Sequence, residues 1–255
     1  MAAPEPAKTV VFLHGIGTTA GMWNEQVQQL PEFRCLAPDL PGHGKATGRP
    51  WVSLQATAEE VAALIEATPE KRAHVVGLSL GGAVAIELMN TRPELLDRLI
   101  VDGAAGISWR FTPVVVAAVS LISPFLHTRP LMRLLAGVLS VAKPRRQGFY
   151  ADLRLVDTGS FRRAVRDALA VRFRNAAAIR GPVLLVAAER DVGATRVSNA
   201  TLARELPQAS AWYLPGAWHA WVGTRPDLHR VMVRAFLVGG PLPGELLPET
   251  ATPRS

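Results

Sequence analysis

One cysteine in 255 residues, Cys35, leaves no internal disulfide and no paired Cys-x-x-Cys motif. Its setting, Phe33-Arg-Cys-Leu-Ala37, predicts a buried strand position. With no disulfide framework, a reducing cytoplasm is the expected compartment. No stretch of about 18 uncharged apolar residues occurs, so no transmembrane helix is expected, and Met1-Ala-Ala-Pro-Glu-Pro-Ala-Lys8 lacks the apolar centre of a secretory leader. There is no H-E-x-x-H, no G-x-x-x-x-G-K-[ST], and no G-x-G-x-x-G opening a helix. The chain therefore calls for no metal and no cofactor.

Lysine is scarce too, at four against 24 arginines. Forked guanidinium groups suit carboxylate or phosphate contacts, although a GC-rich genome gives the same bias. The net charge of +7 is unevenly placed. Residues 106–180 hold thirteen Lys and Arg against three acids, whereas the rest of the chain is slightly acidic. A solvated basic face accounts for this; attraction of an anionic substrate or surface is the alternative, and a steady-state rate indifferent to ionic strength counts against it. No nucleic-acid motif accompanies the charge, so nucleic acid is not an expected partner.

What the chain does have is alternation. Continuous apolar runs at 9–13, 33–37, 73–77, 98–102, 182–188 and 210–214 have the pattern of strands covered on both faces. Between them, helical periodicity appears near 22–31, 54–67, 81–91, 196–206 and 225–237. Strand–helix alternation implies right-handed crossovers and an α/β fold with a mostly parallel sheet of about six strands. The alternation breaks once, between about 106 and 180, where helical patterns follow one another; this predicts an insertion over the sheet. Its apolar runs 113–126 and 131–139 are too short to span a bilayer and are expected to roof a pocket. Residues 161–173, with Phe161, Val165, Leu169 and Phe173 on one face, predict an amphipathic helix. The resulting division is a core of 9–105 and 181–237, a helical cap of 106–180, and flexible termini at 1–8 and 239–255, the latter rich in proline and small polar residues.

Gly77-Leu-Ser-Leu-Gly81 stands between the third predicted strand and the helix after it, which makes it a nucleophile elbow with Ser79 at its tip. A serine hydroxyl is a poor nucleophile near neutrality and needs a base, which in turn needs a group to orient it. In elbow proteins these follow in the order Ser, Asp or Glu, His, near the ends of later strands. Asp191 closes Pro182-Val-Leu-Leu-Val-Ala-Ala-Glu-Arg-Asp191, and His219 follows Ala211-Trp-Tyr-Leu-Pro-Gly-Ala-Trp. Asp102 also closes a strand and remains an alternative orienting acid. Of the other histidines, His74, His127 and His229 read as structural or solvated, His43 as loop packing, and His14 as a brace in the turn after the first strand, beside the pocket. Trp218 and Trp221 flank His219 as candidates either for the pocket wall or for packing; Trp23 and Trp51 read as core or loop anchors. Acyl transfer creates an oxyanion that needs two donors, and the backbone N–H groups of Leu80 and Ile16 occupy the two loops that supply them.

As a set, Leu13-His-Gly-Ile16, Pro38-Asp-Leu-Pro-Gly-His-Gly44, Gly77-Leu-Ser-Leu-Gly-Gly82, Ala188-Glu-Arg-Asp191 and Pro215-Gly-Ala-Trp-His219 resemble, in order, the recurrent motifs of the α/β-hydrolase fold superfamily, in particular its small, lidded, cofactor-free members. The likeness runs from about Thr9 to Phe236. It implies Ser79 as nucleophile, His219 as general base, Asp191 as orienting acid and residues 106–180 as the cap. The expected activity is hydrolysis of a carboxylic ester, or a related acyl bond, of a small to medium, partly hydrophobic molecule. Cleavage of a C–C bond or a lyase reaction by the same three residues is one alternative. A ligand-binding homologue that has lost catalysis is another.

Overall fold

The computed structural model describes residues 7–107, 110–174, 180–191 and 194–249. Five-to-ten-residue apolar runs become the strands β1 (Thr9–Leu13), β3 (Ala73–Leu78), β4 (Leu96–Asp102), β5 (Val183–Arg190) and β6 (Ala209–Trp218), with the short β2 (Arg34–Leu36) at one edge. All six run parallel, in the order β2-β1-β3-β4-β5-β6. Successive side chains of a strand point to opposite faces, and both faces are buried: Val11 and Leu13 join one core cluster while Val10 and Phe12 join the other.

Helices α1 (Asn24–Gln28), α2 (Leu54–Glu66) and α3 (Leu80–Thr91) connect the first strands, and α8 (Thr195–Glu205), the one-turn α9 (Trp221–Thr224) and α10 (Pro226–Val238) follow β5 and β6. Residues from α2, α3 and α8 cover one face of the sheet; Trp221 and Val222 of α9 and Met232, Val233 and Phe236 of α10 cover the other. Among the described residues no helix is long and apolar enough to cross a membrane.

Between β4 and β5 the chain leaves the sheet and forms α4 (Thr112–Ile122), α5 (Arg129–Val138), α6 (Arg146–Arg154) and α7 (Thr158–Ala170). These helices have their own small core, including Leu126, Met132, Phe149, Leu153 and Phe161. α7 is fastened to the sheet domain by polar contacts: Asp167 accepts from Trp51 Nε1 at 2.9 Å and from Leu54 N at 3.2 Å, and Arg163 Nε donates to Trp51 O at 2.6 Å.

Three expectations are corrected. The proline-rich tail is not loose through Glu249. Leu246 is buried against the core beneath β6, and Leu247–Pro248 forms a seventh, antiparallel strand, β7, on Trp212 and Tyr213. Glu249 N donates to Ala211 O at 2.8 Å, and the Glu249 carboxylate accepts two bonds from Arg196, at 2.8 and 2.9 Å. A bare β6 would present an unpaired edge, and a proline is tolerated on the strand that covers it. The termini 1–6 and 250–255 lie outside the described residues. Cys35 is half-buried rather than buried, because β2 is an edge strand; burial, reinforced by the charge of Glu32, pushes its thiol up to about 11. Finally, the apolar runs do not roof the cavity beside Ser79: no residue of 113–126 lines it, and of 131–139 only Leu139 does.

Candidate active site

The sheet order reverses between β1 and β3, since β2 lies on one side of this pair and β4 on the other. Loops leaving two such strands diverge and open a crevice at the carboxyl ends, the usual ligand site of an open α/β sheet. Gly15 and Ile16 leave β1 there, and Ser79 leaves β3. Ser79 has φ 54° and ψ −109°, a left-handed strained conformation for a side-chain-bearing residue. The surroundings hold it: Ser79 N donates to Asp102 O at 2.8 Å and Gly81 N to His14 O at 3.0 Å. Between these two engaged groups lies the N–H of Leu80, the first residue of α3, which has no carbonyl one turn back to bond.

The elbow fits only because α3 nearly touches β1. A methyl group built on Gly81 would overlap the Leu13 carbonyl, a backbone atom that cannot swing away. Gly81→Ala is therefore expected to destabilise the fold by about 3 kcal/mol or more, read as a lowered denaturant midpoint. An unchanged midpoint would show that strand and helix are free to separate there.

Asp191 follows β5 and His219 follows β6. His219 Nδ1 stands 2.6 Å from Asp191 Oδ1, with both side chains almost fully buried. The other carboxylate oxygen, Oδ2, accepts from Ala188 N at 3.3 Å, which fixes the carboxylate plane. Gly103, with φ 65°, lets the end of β4 close against this pair: a Cβ there would lie 2.9 Å from His219 Cε1. Burial is the largest influence on the imidazole and pulls its pKa down. The hydrogen bond and charge of Asp191, helped by the charge of Asp102, outweigh it and hold His219 above the usual histidine value.

Asp102, the alternative acid, points elsewhere. It accepts from Trp221 Nε1 at 3.1 Å and stands 3.5 Å from His229 Nε2. It is fully buried, and burial raises its pKa despite those two neighbours. His219 thus contacts Asp191 and not Asp102.

Ser79, His219, Gly15 and Ile16 share one cavity of about 440 Å³, within the range of small-molecule sites. Its outer wall is supplied by the inserted segment: Leu139, Val141, Phe149 and Arg145 among others. Arg145 pairs with Glu25 at 3.1 Å, and Asp152 accepts from the Thr19 hydroxyl at 3.2 Å, so an otherwise apolar chamber has a polar side. Burial raises the Asp152 carboxyl.

The three remaining pocket candidates are corrected. His14 is buried outside the cavity lining: its Nε2 accepts from Leu40 N at 2.9 Å while Nδ1 lies 2.9 Å from Gly15 O. Burial, then the nearby His43, pushes it down to about 3, so it is a neutral brace between two loops. Trp221 is in the core with 1% exposure, and Trp218, 52% exposed, lies against the Arg190 guanidinium. Alternation along the end of β6 and the turn of α9 sends both away from the cavity, on either side of His219. Sequence reasoning missed Glu25, Arg145, Phe149 and Asp152. The last three lie within one short stretch at α6, but Glu25 comes from α1 over a hundred residues earlier, and no motif marks any of them.

Comparison with known proteins bears on the family and the fold. A model of the alpha/beta hydrolase family matches residues 10–228. Lipase LipV of Mycobacterium tuberculosis is 34% identical over 99 residues, 38% of this chain and 38% of its own length. A putative carbamate hydrolase, RutD, of Agrobacterium fabrum is 25% identical over 244 residues, covering 91% of this chain and 94% of its own. A thermophilic esterase from Thermogutta terrifontis superposes with a TM-score of 0.78 at 19% identity, over 91% of this chain and 90% of that one. The chain spans well under half the length of curated relatives such as the lipase, and 30% of an uncharacterised protein of Mycobacterium tuberculosis that is 37% identical over 101 residues. The reversal of strand order, the strained serine at its crevice and the match over residues 10–228 together mean that this chain belongs to the alpha/beta hydrolase family.

Proposed function

We propose that the protein is a serine hydrolase that cleaves a carboxylic ester, or a closely related acyl bond, of a small to medium, partly apolar molecule. The observation that carries this reading is the 2.6 Å contact between His219 and Asp191 in the cavity that also holds the strained Ser79. Asp191 accepts the Nδ1 proton, which leaves Nε2 as the basic nitrogen. Ser79 Oγ attacks the acyl carbon and gives its proton to His219 Nε2. The oxyanion that forms is met by the N–H groups of Leu80 and Ile16. Collapse expels the alcohol, protonated by His219. A water then repeats the sequence on the acyl-enzyme, losing its proton to His219 and releasing the carboxylic acid and Ser79.

The apolar outer wall of Leu139, Val141 and Phe149 suits the hydrophobic part of the substrate, and the Arg145, Glu25 and Asp152 side suits a polar part. A fluorophosphonate probe tests the nucleophile. It is expected to label one serine per chain, with labelling abolished in Ser79→Ala. Absence of labelling at high probe concentration would instead favour a homologue that binds ligands without catalysis.

A further inference from the structure

α4 inverts the pattern of an ordinary surface helix. A helix on a soluble domain shows charged and polar residues to water. The solvent side of α4 is Val114, Ala117, Ala118 and Leu121, continued by Phe125. These recur every three or four residues, so they stand one above another in a single stripe. Val114, Leu121 and Phe125 are 66, 76 and 61% exposed, no residue of α4 is buried, and the helix has no charge at all. An uninterrupted aliphatic ridge of this kind marks a surface that meets something other than water.

Cationic residues flank it in the chain. Arg110 lies just before α4, its guanidinium 4.4 Å from the centre of the Phe111 ring, and Arg129 and Arg133 follow on α5. All three are exposed, and among the described residues none is paired with a carboxylate. From 103 to 151 the chain contains no Asp or Glu. Apolar stripe and unopposed positive charge therefore occur together, on the part of the chain where no negative charge offsets them.

We propose that α4 and the arginines that flank it form a docking surface for an anionic phospholipid bilayer. The helix lies along the interface, with Val114, Leu121 and Phe125 entering the acyl boundary and Arg110, Arg129 and Arg133 meeting lipid phosphates. Charge complementarity selects this occupant. A second copy docking through the same stripe about a two-fold axis would bring the flanking arginines of both copies to one interface. The stripe also offers no side-chain hydrogen-bonding group to order a protein partner, and a lipid needs none. α4 contributes nothing to the cavity lining, so docking is independent of the catalytic reading.

Co-sedimentation of the full chain with vesicles of phosphatidylcholine, with and without phosphatidylglycerol, tests this. Binding is expected to the anionic vesicles only, and to fall as salt is raised. Leu121→Asp is expected to weaken it at least about tenfold, and Arg129→Gln and Arg133→Gln about fivefold each. Ser79→Ala is expected to sediment like the unsubstituted chain. Because Leu121 is exposed, Leu121→Asp should keep its circular dichroism and its hydrolysis of a soluble p-nitrophenyl ester, so a lost interaction is separable from lost folding. Failure to bind anionic vesicles, equal binding to both vesicle types, or indifference to Leu121→Asp would overturn the proposal. A dimer in sedimentation velocity without lipid, abolished by Leu121→Asp, would assign the stripe to a second copy and overturn it equally.

Discussion

Ser79→Ala is expected to lower kcat on a p-nitrophenyl ester by about ten-thousand- to million-fold, with the thermal midpoint little changed. The hydroxyl is the only group lost: the strained backbone is held by the bonds from Ser79 N to Asp102 O and from Gly81 N to His14 O, neither of which involves the side chain. His219→Ala should produce a loss of similar size. The informative measurement is the double variant. If serine and histidine act as one unit, removing the second after the first takes away nothing further, and the double variant retains the residual rate that binding and the backbone donors supply. Losses that multiply would show two independent contributions and would remove the shared proton transfer from the mechanism.

Asp191→Asn has the second largest expected effect, a fall in kcat of about ten-thousand-fold. An amide at that position favours the wrong tautomer of His219 and withdraws the charge that supports imidazolium. The pH profile gives this prediction its sign. Burial alone pulls His219 down, and the net upward shift rests on Asp191. In the unsubstituted enzyme kcat/KM should therefore fall as pH drops through a pKa above 6.5, as the base becomes protonated. In Asp191→Asn the acid limb should move to lower pH, because desolvation is then less strongly opposed. Asp102→Asn should leave the rate within about one order of magnitude, since its carboxylate bonds Trp221 rather than His219. The reverse ranking of the two aspartates would make Asp102 the orienting acid.

Stability follows the opposite direction. The folded pKa of His219 lies above its unfolded value, so its contribution to stability is fully present below the unfolded pKa and is lost as pH rises through the folded one. The proposed mechanism needs the neutral form, so the same proton that favours the fold would silence the base.

Much of this was legible in the linear chain. The six parallel strands and their intervening helices follow from apolar runs alternating with helical periodicity, because strands covered on both faces have no polar positions to interrupt them. Ser79, Asp191 and His219 could be named because each ends a strand, and parallel strands deliver all their carboxyl ends to one side of the sheet. The seventh strand was not legible. Leu247–Pro248 has no strand pattern of its own and is ordered by the edge of β6, by burial of Leu246 and by the Arg196–Glu249 pair, all long-range. Nor could neighbours in sequence reveal the fates of Trp218 and Trp221, since a side chain's direction at a strand end depends on the turn that follows.

By itself, then, the sequence determined which residues stand at the ends of which strands, because hydrophobic periodicity and turn chemistry act over a few residues. Only the tertiary structure decided that His219 meets Asp191 and not Asp102, that the cavity wall is Leu139 to Asp152 and not the more apolar run before it, and that α4 keeps its aliphatic stripe toward solvent. Those outcomes depend on the relative placement of elements far apart in the chain, which packing of the whole fixes and no local pattern records.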